Sequence, residues 1–338
     1  MKVCVQLKYI SALLLLLCGF YTQGQDIHFS QYNMSPLNLN PAFTGLFDGD
    51  YRAGAIYRSQ WSAVPVPYST VSLMGDAKLK TKSNHAGVGL LFNNDVSGDS
   101  KYGTTQLSVP LSYIARLNSD SSLYLSVGLQ PGITNIGFRT NQQTFDNQFD
   151  GDSYNPALPT GENFPAISHT YFDVASGLVL QYHLSQQTII TGGISLSHFN
   201  KPKISYFNNA DIRLDPKIVS SLSFNFPIAQ RLSVNTELMY ERQGKFHETV
   251  LGAKCSYALN SKDRQAVSAG FYTRLQDALV MRVGYDYKQW QFGMSYDINT
   301  SAFRAATNRR GAIEFALIYI FKKESIFIPK KRVCPIYM

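Results

Sequence analysis

Charge is scarce in this chain. Lys, Arg, Asp and Glu together make up 16% of its 338 residues, against roughly a quarter in an average soluble domain. A soluble protein so poor in charge would struggle to cover its surface, whereas one whose outer face meets lipid has no such need. Cysteine is as sparse. Only Cys255 and Cys334 lie beyond the N-terminal leader, so no disulfide framework holds the fold. They read as two incidental thiols, with a bond between them in an oxidising compartment as the alternative. Beyond the leader no apolar run is long enough to cross a bilayer as a helix, which takes about 20 residues. A fixed repeat, the mark of a propeller or solenoid, is also missing.

The residue patterns that carry catalysis are missing too. The six histidines, His28, His85, His169, His183, His198 and His247, show no metal-ligand spacing, and the two cysteines are far apart. Ser195, Ser197 and His198 supply the residue types of a hydrolase without its arrangement, and read as polar residues of a lumen or rim. No glycine-rich loop follows a strand and opens a helix, so nothing cradles a phosphate. The sequence therefore predicts no enzyme, no cofactor and no metal. In the longest loop, 135–169, Asp146, Asp150 and Asp152 offer oxygens to Ca²⁺ but miss the EF-hand pattern, and a folded surface loop is the plainer reading. The formal charge of +8 brings nucleic acid to mind. Lys and Arg are scattered, however, and cluster only at Lys322-Lys323 and Lys330-Lys331-Arg332, so a solvated basic tail is expected and no nucleic-acid partner.

What is present begins with a leader. Lys2 and Lys8 precede an apolar run from Ile10 to Phe20, and Thr22-Gln23-Gly24 follows. A basic start, a short apolar stretch and a small residue at its end predict a cleaved signal peptide over 1–24. Cys18 follows Leu17, where a lipoprotein would carry a small residue, so lipidation is not expected.

The rest of the chain alternates with period two. On Tyr51–Trp61, Tyr51, Ala53, Ala55, Tyr57, Ser59 and Trp61 share one face, and Arg52, Gly54, Ile56, Arg58 and Gln60 the other. On 171–184, Phe172, Val174, Ser176, Leu178, Leu180, Tyr182 and Leu184 make a lipid-compatible face. On 312–321, Ile313, Phe315, Leu317, Tyr319 and Phe321 do the same, opposite Glu314, Ala316, Ile318 and Ile320. Such runs recur near 51–61, 68–79, 85–95, 102–116, 122–134, 170–183, 187–198, 217–227, 231–241, 248–258, 265–275, 279–288, 290–298 and 311–321. Their links alternate between short polar turns and longer loops at 135–169, 199–216 and 299–310. Long runs, short turns on one rim and long loops on the other predict an all-β, transmembrane antiparallel β-barrel of about 14 strands, with its turns in the periplasm. A soluble sandwich or propeller, the alternative, would have strands of about half that length. The expected organisation is a signal peptide (1–24), a periplasmic N-terminal segment or plug (25–50), an outer-membrane barrel (51–321) and a periplasmic tail (322–338).

The N-terminal part also carries a family likeness. Phe29-Ser30-Gln31-Tyr32, Pro36-Leu37, Asn40-Pro41-Ala42 with Gly45 behind, and Tyr57-Arg58 before Gln60-Trp61 resemble the start of PorP/SprF proteins, outer-membrane components of the type IX secretion system of the Bacteroidetes. The resemblance implies a non-enzymatic barrel that assists secretion or surface attachment of particular substrates, such as gliding adhesins. Its implied partners are the outer-membrane bilayer, a secreted protein's C-terminal domain and the periplasmic secretion ring. It also implies that Phe29, Gln31, Tyr32, Asn40 and Pro41, which match the family pattern, shape a partner-binding periplasmic mouth. The apolar content of 25–50 points to a plug or lining of that mouth. The alternative is an outer-membrane channel or transporter for small or hydrophobic solutes, which would need an open lumen or an apolar tunnel.

Overall fold

Side-chain alternation decides which face of each strand meets lipid, and the strands it produces close on themselves. The computed structural model describes residues 26–61, 66–80, 84–140, 143–206, 211–260, 264–301, 304 and 307–323. The predicted signal peptide, most of the predicted tail and Cys334 lie outside these residues. The strands are β1 (Tyr51–Gln60), β2 (Tyr68–Lys80), β3 (His85–Ser97), β4 (Tyr102–Ser108), β5 (Leu111–Arg116), β6 (Leu123–Gly137), β7 (Ser168–His183), β8 (Ile189–Ser197), β9 (Lys217–Ala229), β10 (Leu232–Gln243), β11 (Phe246–Asn260), β12 (Gln265–Arg274), β13 (Ala278–Tyr287), β14 (Trp290–Asn299) and β15 (Arg310–Phe321).

Apart from β4 and β5, each strand pairs antiparallel with its sequence neighbours, and β15 returns to β1, from Tyr51 opposite Phe321 to Gln60 opposite Ala312. β4 and β5 both pair with β3 on one side and β6 on the other. They are two halves of one stave, broken at Val109-Pro110, where proline removes a ladder donor. Fifteen strands thus make fourteen staves. Closure leaves no edge, which lipid demands because it offers no partner to an open N–H or C=O.

The outward positions on β1, β7 and β15 are those the alternation predicts: Tyr57, Leu178 and Phe315 are exposed, and Arg58, Val179 and Glu314 buried. Around the outside runs an apolar skin in which Phe271 is 71% exposed. Aromatic pairs such as Tyr51–Phe321 and Trp290–Tyr319 sit near the turn rim, as an interfacial belt requires. Cys255 is on this outer surface and is unbonded. In the loop after β6, Asp150 closes a turn by accepting the N–H groups of Asp152 and Ser153. Among the described residues no group of three or more His, Cys, Asp or Glu side chains is arranged to hold a metal ion.

Residues 26–50 run down the inside. The segment starts near the loop rim, beside Lys217 and Gln243, and ends at the turn rim, where the Asp50 N–H donates to the Phe321 carbonyl. It is therefore not confined to the mouth on the turn rim, where the sequence reading set it, but spans the lumen. Pro and Asn break it into three short helical turns, Tyr32–Met34, Pro36–Leu39 and Pro41–Phe43. Its apolar side chains fill the space within the wall. Tyr32 packs with Val219, Met239, Val250, Tyr272 and Val280. Leu37 packs with Met74, Leu91 and Ile318, and Phe29 with Ile56 and Ala316.

Close approach of segment to wall depends on glycine. A Cβ on Gly177 would fall 2.0 Å from Asn40 Oδ1, and one on Gly128 2.3 Å from the Ala42 nitrogen. Gly177→Val is expected to destabilise the barrel by about 1–3 kcal/mol through overpacking. The loss should appear as a lower temperature at which the folded band disappears in heat-modifiability gels. Gly192→Ala, where a Cβ meets only Leu222 Cδ1 at 3.8 Å, should leave that temperature unchanged.

Candidate functional site

An irregular segment inside a sealed barrel brings buried donors and acceptors with it, and the wall must answer each one. It does so with charge. Arg58 on β1 and Glu314 on β15 are opposite one another across the closing seam, and form an ion pair with side chains 2% and 0% exposed. Glu314 also accepts the N–H of Ser30 at 2.6 Å and of Gln31 at 2.8 Å. The Ser30 hydroxyl donates to Asp297 on β14 at 2.7 Å, and accepts from Arg58 at 2.9 Å and Arg274 at 2.6 Å. Arg274 is 3.2 Å from Asp297 and 2.9 Å from Asp277. Arg282 on β13 donates to the Ser30 carbonyl, pairs with Glu237 at 3.1 Å and lies 3.5 Å from the centre of the Tyr272 ring. Asn33 of the segment donates to the other Glu237 oxygen at 3.1 Å.

Two further anchors flank this core. Near the turn rim, Asp76 binds Arg52 in a two-pronged pair and accepts the Gly45 N–H, while Arg52 also donates to the Phe43 carbonyl. Near the loop rim, Asp26 meets Lys217 at 3.0 Å and His198 at 2.9 Å, and the second His198 nitrogen is 2.7 Å from Asp173. Burial alone would lower the His198 imidazole, but the Asp26 and Asp173 carboxylates outweigh it and push its pKa up to about 9. Burial would raise Asp26, yet Lys217 and His198 hold it well below the usual carboxylate range.

The five residues the sequence singled out all lie inside the barrel. Phe29 sits against Ile56 and Ala316, and Gln31 on Glu314. Tyr32 packs beside Tyr272 and under Arg282. Asn40 donates to the carbonyls of Leu178 and Ile194, both at 3.0 Å, and accepts the Ala42 N–H, so that Pro41 starts a helical turn. They contact wall and segment, and their side chains are buried or nearly so. The sequence reading missed the residues that grip the rest of the segment, at Ser30, Asn33, Phe43 and Gly45: Arg52, Asp76, Glu237, Arg274, Arg282 and Asp297. The signal was available, since each is a charge at an inward strand position of a chain that has few charges.

A closed ladder, an apolar skin with an aromatic belt, short turns on one rim and a segment-filled lumen define an outer-membrane β-barrel. Within that class the chain belongs to the PorP/SprF family of type IX secretion system membrane proteins, whose profile matches residues 21–319. Among solved structures it is similar to the toluene transporter TbuX of Ralstonia pickettii, with a TM-score of 0.52 and 12% identity over 88% of this chain and 96% of that one. The toluene transporter TodX of Pseudomonas putida gives 0.51 and 11% over 87% and 94%. The monoaromatic hydrocarbon channel CymD gives 0.50 and 12% over 90% and 96%. At such identities the likeness is one of fold. No match is found among curated proteins.

Arg58→Met leaves Glu314 without its guanidinium and should cost about 3–5 kcal/mol, since an unpaired buried charge is worse than no charge. Arg58→Met with Glu314→Leu should recover part of that loss in the same unfolding measurement. The His198 pKa lies above its unfolded value of about 6.5. Its contribution is therefore full below that value and lost as pH rises through about 9. The unfolding temperature should fall between pH 7 and pH 10, and His198→Gln should make that fall smaller.

Proposed function

We propose that this barrel serves the type IX secretion system as a non-conducting, non-enzymatic scaffold. On this reading it holds partners at its rims and helps particular secreted substrates, such as gliding adhesins of the Bacteroidetes, to be exported or kept on the surface. The single observation that carries the reading is the filled lumen. Residues 26–50 occupy the bore from one rim to the other, with buried ion pairs and apolar clusters fixing them to the wall. A solute channel needs that space. A scaffold does not, and gains stiffness from having it filled.

The partner-facing surface on this reading is the turn rim. There the end of the internal segment and the end of β15 form one patch: Lys322 pairs with Asp48 at 2.6 Å, and the Lys323 N–H donates to Asp50 at 2.7 Å. Phe29, Gln31, Tyr32, Asn40 and Pro41 support this surface from within by fixing the course of the segment. The partners are the C-terminal domain of a secreted substrate and the periplasmic ring components, both of which the turn rim would face.

In planar bilayers the purified protein should show no steady conductance at 1 M KCl, whereas a variant lacking residues 26–46 should conduct if it assembles. Steady ohmic conductance from the intact protein would defeat the scaffold reading. An isolated C-terminal domain of a type IX substrate should be retained by the immobilised barrel, and Lys322→Glu with Lys323→Glu should weaken retention at least tenfold.

A further inference from the structure

At the loop rim the lumen opens into a blind vestibule of about 680 Å³, floored by Asp26, Ile27, His28, Arg58 and Arg274. That volume lies within the range of about 300–1,000 Å³ typical of ligand sites. Its β1–β4 wall carries an uncommon combination. Of the carboxylates on inward strand positions, Asp76, Asp173, Asp297, Glu237, Glu248 and Glu314 have a cation within ion-pair reach. Glu241 on β10 and Asp286 on β13, both away from the β1–β4 wall, form no ion pair among the described residues. Asp95, on that wall, also has none among the described residues. Its one hydrogen bond comes from the Thr70 hydroxyl, at 2.5 Å. Thr70 and Thr104 are its partners across β2 and β4, so it points inward between two hydroxyl residues. The rings of Tyr68, Tyr102 and Trp61 line the same vestibule.

Trp61 adds a second, independent sign. Its φ is +57°, a left-handed conformation that a bulky side chain adopts only when its surroundings impose it. They do: its N–H donates to the Gly311 carbonyl at 2.8 Å, and its ring meets Tyr68 edge-on at 4.8 Å. The backbone is held in a costly shape that turns an indole into the vestibule. A carboxylate without a counter-charge in a vestibule also lined by aromatic rings suits a cation, because the carboxylate supplies charge and ring faces can supply the negative side of their quadrupoles. Arg58 and Arg274, which line the same vestibule, are already satisfied by Glu314, Asp297 and Asp277.

We propose that Asp95 with Trp61, Tyr68 and Tyr102 forms a binding site, open to the cell exterior, for a cationic side chain of a polypeptide segment. The site lies on the rim opposite the one assigned to the secretion partners, so the two assignments stand or fall separately.

The test uses the full-length barrel in detergent. Of the two tryptophans in the chain, Trp290 faces lipid, and Trp290→Phe leaves Trp61 as the sole indole reporter. Pentalysine at low salt is expected to change Trp61 emission saturably, while pentaglutamate and maltopentaose are not. Asp95→Asn, of the same shape, should weaken the pentalysine response at least tenfold. Tyr102→Leu should weaken it at least threefold, and serves as the second variant if Asp95→Asn fails to reach the heat-modifiable folded state. No saturable response to pentalysine, an equal response to pentaglutamate or maltopentaose, or a response that these variants leave unchanged would each overturn the proposal.

Discussion

Main-chain satisfaction governs this molecule twice over. In the wall it enforces closure, because lipid cannot replace a missing strand partner. In the lumen the same demand falls on a segment with no regular structure. There the wall answers with side chains: ten contacts reach main-chain atoms of residues 26–47, from Gln243, Glu314 (twice), Arg282, Ser195, Ser126, Arg52, Ser112, Asp76 and Lys78. Serines on the inner faces of β5, β6 and β8 reach the carbonyls of Thr44, Ala42 and Leu39. Small residues on the inner wall thus have a purpose beyond leaving space. Glycine admits the segment and serine bonds to it.

The charged residues follow from the same demand. Bonds to an ionised partner contribute about 1.5–3 kcal/mol net, against about 1 for neutral ones. A carboxylate that accepts two successive N–H groups, as Glu314 does from Ser30 and Gln31, also fixes direction. Yet a carboxylate in a dry lumen is costly without a counter-charge. Each of these acids therefore brings an arginine, and each arginine needs further acceptors for its five donors. The result is a network across β1, β12, β13, β14 and β15, with the Ser30 hydroxyl in the middle of it. Its position on the β1–β15 seam means that the first and last strands are joined by buried charge as well as by the ladder.

Most of the wall was legible in the sequence because the strand period is simple. A one-residue slip would turn Phe315 into the lumen and Glu314 into lipid, so the pattern leaves little freedom. Even the broken stave read as a single run over 102–116, since Val109-Pro110 interrupts hydrogen bonding without changing direction. The course of the internal segment was not legible. Proline and asparagine announce turns at 36, 40 and 41, but turns do not say how far a chain travels. That distance is set by contacts hundreds of residues away, such as Ser30 with Asp297 and Asp26 with Lys217. The charges of the polar core were visible singly, as Arg, Asp and Glu at inward strand positions. Their association was not, because it depends on which staves face one another around the bore.

The fold itself does not decide between conduction and scaffolding, since fold and function separate readily. The solved barrels this chain resembles include hydrocarbon channels, at 12% identity or below. What separates the readings is how firmly the bore is filled. A gate has to leave at a cost that a ligand can meet, and a ligand shifts an equilibrium only by its differential affinity. Here departure would leave Glu314, Asp297, Glu237 and Asp76 without the segment donors they bind. It would also expose Leu37 and Tyr32, and break main-chain bonds along the whole bore at once. A segment fixed so completely behaves as the barrel's core, and that is what supports the scaffold proposal over a gated channel.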